Sequence, residues 1–158
     1  MKNRIKASII VIGIALTTML VYNSMQDNTN RCVNIYIDFG KLSNGEKIIQ
    51  CTNVNGKTNA LDILKKSNLK IDGTEKYGSS VVCRVDNLPG PAVESCLSMP
   101  SEKAYWAVLI KRHQVIPNPF DINGKWGWAQ TGISEVYLDN GDSLGLVFAN
   151  NGKVEFPN

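Results

Sequence analysis

The chain has 158 residues, of which 43% are hydrophobic, 20% charged and 8% aromatic. This length and balance suit one globular domain with a substantial core, and they exclude disordered, collagen, coiled-coil and multi-pass membrane proteins. The formal net charge is +3, but Lys2, Arg4 and Lys6 account for it, and the rest of the chain has equal numbers of basic and acidic residues. We therefore expect no nucleic-acid partner.

Residues 1–25 have the pattern of a signal or anchor segment. Basic residues precede the apolar run Ala7–Tyr22, and a positive flank before such a run is typical of export or membrane anchoring. The run is near the lower limit of a spanning helix, roughly 17–25 residues, and no A-x-A cleavage pattern follows it. We favour an uncleaved single-pass anchor at residues 7–22 in the cell membrane, with a secreted, cleaved product as the alternative.

A polar linker at 26–31 follows, and residues 32–158 form a single extracytoplasmic domain in this interpretation. All four cysteines lie in this part, separated by 19, 32 and 13 positions. An even number of cysteines in an exported domain predicts disulfides, whereas a zinc site needs closer pairs. More than one pairing is open. We favour Cys83–Cys96, across a proline-rich loop, and Cys32–Cys51, which flank the first predicted hairpin.

The domain pattern predicts an α+β fold. Val33–Phe39 alternates apolar and polar residues, as a half-buried strand does, and Lys47–Thr52 returns as the second strand of a hairpin. A helix capped by Thr58 or Asn59 runs through Ser67. Later strands are predicted at Val81–Val85, Ala104–Ile110, Lys125–Gln130 and Leu144–Phe148, with loops at Gly73–Ser80, Asn87–Pro100 and Val115–Gly124. One helix packed across a mixed sheet is the economical arrangement.

The sequence offers no set of residues for catalysis. Phosphate-loop, dinucleotide-binding and G-x-S-x-G patterns are absent. His113 is the only histidine, beside Lys111 and Arg112, and an exposed turn position explains it better than catalysis does. The acidic residues Asp121, Glu135, Asp139 and Asp142 are scattered, and nothing in the sequence singles out a pair for acid–base chemistry. We therefore predict a protein that is not an enzyme, with no catalytic residue and no metal site.

Aromatic residues of the C-terminal half are the candidate ligand-binding residues: Trp106, Trp126, Trp128 and Tyr137. Trp126 and Trp128 are two positions apart, so on a strand they share a face. Gly127 between them has no side chain and lets a flat ligand approach the backbone. The alternative is that these rings fill the core.

Four short motifs follow one another along the chain: Asn59–Leu64 on the predicted helix, Tyr105–Trp106, Lys125–Trp128, and Asn140–Leu144. With them the chain resembles the transcobalamin-like C-terminal domain family (DUF4430), in a variant similar to secreted or membrane-anchored actinobacterial proteins. The resemblance covers roughly Val33 to Phe148. It implies a β-grasp-like mixed sheet with one packed helix, placed here after the N-terminal anchor or signal helix.

The resemblance also implies a function. The family suggests a non-enzymatic extracytoplasmic domain that binds a small ligand. A corrinoid or related cofactor linked to uptake is the implied ligand, held as a cobalamin-type ligand without covalent attachment. The alternative is a cell-surface structural or adhesion module that binds another protein. The expected partners are accordingly a small molecule or a surface protein, together with the membrane through residues 7–22.

The first testable prediction concerns the N-terminus. We expect residues 1–25 to stay attached, because no cleavage pattern follows the apolar run. N-terminal sequencing of protein extracted from membranes should find a chain that still contains these residues. A chain beginning between Ser24 and Arg31, recovered from the soluble fraction, would instead indicate a cleaved signal.

Overall fold

A computed structural model of the protein describes residues 32–113 and 124–157. The predicted anchor, the linker and most of the predicted loop Val115–Gly124 lie outside the described residues. Within the described ranges, no helix has the length and apolarity needed to cross a membrane. The elements are β1 (Cys32–Asp38), β2 (Lys47–Asn53), β3 (Thr58–Asn59), α1 (Ala60–Lys66), β4 (Ile71–Thr74), β5 (Gly78–Val85), β6 (Ala104–Lys111), β7 (Gly127–Trp128), β8 (Tyr137–Leu138) and β9 (Ser143–Asn150).

The main sheet has five strands in the order β2-β1-β9-β6-β7. The central pair, β1 and β9, is parallel, and all other neighbours are antiparallel. Two small antiparallel pairs, β3–β8 and β4–β5, accompany it. The described residues contain one α-helix, α1. The predicted α+β architecture, a mixed sheet with one packed helix, is therefore confirmed.

Helix α1 begins where the sequence indicates. The side-chain oxygen of Asn59 accepts a hydrogen bond from the backbone N–H of Leu61 at 2.9 Å, so Asn59 is the cap. Asp62 lies in the first turn, and the last turn carries Lys65 and Lys66, an arrangement that complements the helix dipole. The buried residues of the helix are Ala60, Ile63 and Leu64.

The main core lies between α1 and one face of the sheet, which we call the inner face. Alternate residues of β1 and β9 point into it, because successive side chains of a strand face opposite sides. They are Val33, Ile35 and Ile37 of β1 and Leu144, Leu146 and Phe148 of β9. The opposite side, the outer face, carries a second, smaller buried cluster of Ala107, Leu109 and Val147.

Both predicted disulfides are confirmed. The Cα atoms are 5.6 Å apart in Cys32–Cys51 and 5.7 Å apart in Cys83–Cys96. The second bridge ties β5 to the long loop that precedes β6. Arg84 also holds this loop, since its guanidinium donates to the backbone carbonyls of Pro89 and Glu94.

The prediction of a loop over Gly73–Ser80 is wrong in part. Its two ends belong to β4 and β5, which form an antiparallel pair. Two register shifts, on either side of Gly73, interrupt that pairing. A Cβ at Gly73 would lie 2.2 Å from the carbonyl oxygen of Gly78, so the close approach of the strands requires glycine. The irregular pairing also removes the simple alternation by which a strand is recognised.

The second prediction tests the loop disulfide. Replacing Cys83 and Cys96 together by alanine should lower the free energy of unfolding by about 2–4 kcal/mol, mainly because the bridge restricts the unfolded chain. Urea unfolding followed by tryptophan fluorescence measures the change. Ser95→Ala, at an exposed neighbour, is the control and should unfold like the wild type. An unchanged midpoint for the double variant would contradict the prediction.

Candidate ligand-binding face

Trp106 is a core residue of the inner face. Its side chain is 5% exposed, and its ring meets those of Phe39 and Phe148 edge-on, with centroids 5.5 and 5.3 Å away. The indole N–H donates to the backbone carbonyl of Leu88 at 3.2 Å. With its polar edge satisfied and its ring enclosed, Trp106 stabilises the fold and has little surface left for a ligand.

Tyr137 lies in β8, which pairs with β3 rather than with the main sheet. Its ring is exposed, and the ammonium of Lys57 lies 5.9 Å from the ring centroid. Its backbone carbonyl accepts a hydrogen bond from Arg112 at 2.7 Å. The structure therefore does not bring Trp106 and Tyr137 together with the two remaining tryptophans.

Trp126 and Trp128 both belong to the outer face. Trp128 pairs in register with Leu109, a member of the outer cluster. The ring of Trp126 covers Gly145, where a Cβ would come within 3.1 Å of it, and it tilts against the ring of Tyr36 with centroids 6.3 Å apart. Trp126 is half-buried, whereas Trp128 remains 42% exposed.

The segment after β9 completes this face. The chain turns back through a bridge between Asn150 and Lys153, and Val154 packs on the outer cluster. Phe156 then meets Trp128 edge-on with centroids 6.1 Å apart, and it is itself 42% exposed. The sequence alone predicts no element for this segment, and the alternation of Val154 and Phe156 after a turn is its one local signal.

A separate groove of about 830 Å³ lies at the end of the β1–β9 pair, and Trp126, Trp128 and Phe156 are not among the residues that line it. Asp38 and Val147, which face each other across β1 and β9, are at its base. Lys41 and Asn44, from the turn after β1, form one wall. The opposite wall comes from the end of β9 and the returning segment, with Asn150, Asn151, Lys153 and Glu155. Its size falls in the range of roughly 300–1,000 Å³ that is usual for small-molecule sites.

Asp38 connects the groove to the aromatic residues. Its buried carboxylate accepts hydrogen bonds from the backbone N–H of Gly40 at 2.9 Å and from the Tyr36 hydroxyl at 3.3 Å. It also pairs with the ammonium of Lys47 at 3.0 Å. Tyr36 and Asp38 together hold the pKa of Lys47 above its usual range. The negative charge at the base of the groove is thus compensated by the protein.

Comparison with protein-family models, curated proteins and solved structures finds no match to this chain. Within the residues that the structure describes, no group of three or more His, Cys, Asp or Glu side chains is placed to hold a metal ion. The outer face therefore offers exposed aromatic rings, and the groove offers charged and amide side chains with the Asp38 carboxylate paired to Lys47.

The third prediction compares the buried Trp106 with the partly exposed Trp128. Trp106→Ala should lower the free energy of unfolding by about 3–5 kcal/mol, because it empties a packed core position. Trp128→Ala should cost about 1 kcal/mol, since it removes only the contact with Phe156 and a partly exposed ring. Chemical unfolding followed by circular dichroism measures both values. Equal losses would show that Trp128 is also a core residue.

Proposed function

We propose that this protein is a non-enzymatic extracytoplasmic domain that binds a small ligand on the outer face of its sheet. The observation that carries the proposal is the pair Trp128 and Phe156, whose rings contact each other while each remains 42% exposed. Rings that present a large apolar surface without being enclosed are suited to stacking on a flat ligand. The pairing of Trp128 with Leu109 and its contact with the Phe156 ring hold the indole in place, which reduces the entropy lost on binding.

The cellular location rests on two observations. Two disulfides are typical of domains that fold in an oxidising compartment. The basic residues and the apolar run at 7–22 favour a single-pass anchor with the domain outside. In this arrangement the outer face meets ligands from the cell exterior, and a secreted form would meet the same ligands.

The surroundings of His113 and of the cysteines favour binding over catalysis in this proposal. His113 packs against the turn at Gly141, and its backbone N–H donates to the Asp142 carboxylate at 2.9 Å. All four cysteines are in disulfides, so no thiolate is available as a nucleophile. The site in this proposal binds a ligand and releases it unchanged.

The identity of the ligand comes from the resemblance alone. The transcobalamin-like family implies a corrinoid or related cofactor linked to uptake, and a corrinoid is accordingly the first ligand to test.

A second candidate function is adhesion to a surface protein. The loop between β5 and β6 presents Val93, Leu97 and Met99 to solvent, with exposures of 68%, 60% and 60%. The Cys83–Cys96 bridge and a hydrogen bond of 2.7 Å from the Glu75 backbone N–H to the Cys96 carbonyl hold the loop. Large apolar side chains exposed on a fixed loop are typical of protein contact surfaces.

The fourth prediction tests the ligand site. Small molecules that co-purify with the full-length protein should be detected by mass spectrometry, and titration with cobalamin should quench tryptophan fluorescence to saturation. Trp128→Ala should weaken ligand binding about tenfold, because stacking and burial of one indole contribute about 1–3 kcal/mol. The melting temperature should fall by only a few degrees, as expected for a loss of about 1 kcal/mol.

Tyr137→Ala is the matched control, since Tyr137 is an exposed aromatic residue of a different sheet. It should bind the ligand as the wild type does. No retained molecule, or binding that is insensitive to Trp128→Ala, would contradict the proposal. Protein binding that is lost on Leu97→Ser and Met99→Ser, and kept in Trp128→Ala, would establish the adhesion function instead.

A further inference from the structure

Five asparagines of the chain are followed directly by glycine, the neighbour beside which an asparagine side chain is chemically least stable. In such a pair the backbone nitrogen of the glycine can attack the side-chain carbon Cγ of the asparagine, because glycine has no side chain to shield that nitrogen. The structure describes both residues of four pairs, which begin at Asn44, Asn55, Asn140 and Asn151. The four differ in the surroundings of the attacking group, the glycine N–H.

Three of the four glycines hold this N–H in a backbone hydrogen bond. The distance from the nitrogen to the accepting carbonyl oxygen is 2.7 Å for Gly45, 2.9 Å for Gly141 and 3.1 Å for Gly152. Two of them are also crowded, since a Cβ at Gly141 would lie 2.7 Å from the His113 ring and one at Gly152 would lie 3.1 Å from the Glu102 carbonyl. The nitrogen can turn toward its asparagine only after the hydrogen bond opens, which costs free energy.

Gly56 has neither restraint. It lies between β2 and β3, and a Cβ there would meet no atom within 4 Å. Its carbonyl accepts a hydrogen bond from the Thr58 hydroxyl at 2.9 Å, but its N–H donates to no other described residue. Asn55 is exposed, so water reaches the pair. The φ of 76° at Gly56 favours glycine, and the turn therefore requires the residue that makes Asn55 reactive.

We propose that Asn55 is a site of spontaneous deamidation in the folded protein, and that the fold protects the asparagines of the other three described pairs. The Gly56 nitrogen forms a bond to Cγ of Asn55, the bond from Cγ to Nδ2 breaks, and the proton of the Gly56 N–H passes through solvent to the departing nitrogen, which leaves as ammonia. Water then opens the resulting five-membered succinimide. Opening at the side-chain carbonyl gives aspartate, and opening at the backbone carbonyl gives isoaspartate.

The modification changes the charge of one defined part of the surface. Each event replaces a neutral amide by a carboxylate and lowers the formal net charge of +3 by one. The new carboxylate lies two positions before Lys57, whose ammonium is 5.9 Å from the centroid of the Tyr137 ring. The modified turn follows β2, whereas Trp128 lies in β7 at the opposite edge of the main sheet. The inference is therefore independent of the proposed ligand site.

The experiment incubates the full-length protein for several weeks at physiological temperature, at neutral and at mildly alkaline pH. Peptides from a digestion at acidic pH, where the reaction is slow, are mapped by mass spectrometry, and enzymatic methylation identifies isoaspartate. Asn55 should convert at least about tenfold faster than the asparagines of the other three pairs, because those wait for local opening. The rate should rise with pH, since the attacking nitrogen must lose its proton. In urea all four should convert at similar rates.

Asn55→Gln removes the site, because a glutamine side chain must close a six-membered ring, which forms far more slowly. This variant should accumulate much less of the acidic form that ion-exchange chromatography separates from fresh protein. Asn53→Gln is the matched control, since Asn53 is an exposed asparagine that is followed by valine. It should accumulate the acidic form as the wild type does. Absence of conversion at Asn55 in the folded protein overturns the inference, and so does equally fast conversion at any of the other three pairs.

Discussion

The parallel pairing of β1 with β9 is the interaction on which the rest of the domain depends. It joins the first and last strands of the described domain at the centre of the sheet. The ladder is extended by hydrogen bonds from Gly141 N–H to the Cys32 carbonyl at 2.9 Å and from Asn34 N–H to the Asp142 carbonyl at 3.0 Å. Seven of the eight residues of β9 are buried. Both faces of such a strand must be packed against other groups. Helix α1 packs on the inner face, and Trp126 and Val154 pack on the outer face.

The groove follows from the unequal lengths of these two strands. The pairing ends where Asp38 meets Val147, but β9 continues to Asn150. The turn after β1 occupies part of the space that β1 leaves, and a Cβ at Gly40 would be in van der Waals contact with the Phe148 carbonyl, at 3.4 Å. The segment after β9 returns on the other side. A concave surface remains between the two turns, because neither continues the sheet.

The features that could be predicted from the sequence depend on residues close to one another in the chain. The first hairpin and the Asn59 cap follow from alternation and from side-chain chemistry within a few positions. The cysteine pairs are 19 and 13 residues apart and each flanks one turn or loop. The β4–β5 pair lacks such a signal because its register shifts at Gly73. The returning C-terminal segment has only the short alternation of Val154 and Phe156 as a local signal, and its contact with Trp128 joins residues that are far apart in the sequence.

The faces of the tryptophans could not be predicted for the same reason. Strand β6 is apolar on both sides, so alternation does not say which of its residues point to the helix. The side is decided by long-range register: Trp106 pairs with Phe148 and enters the main core, whereas Leu109 pairs with Trp128 on the opposite face. A shift of one residue would exchange these roles. Because β7 has only two residues and forms the sheet edge, no further strand of the described domain covers Trp128. Trp128 therefore stays partly exposed because the sheet ends at β7. The ring of Phe156 contacts it from the C-terminal segment.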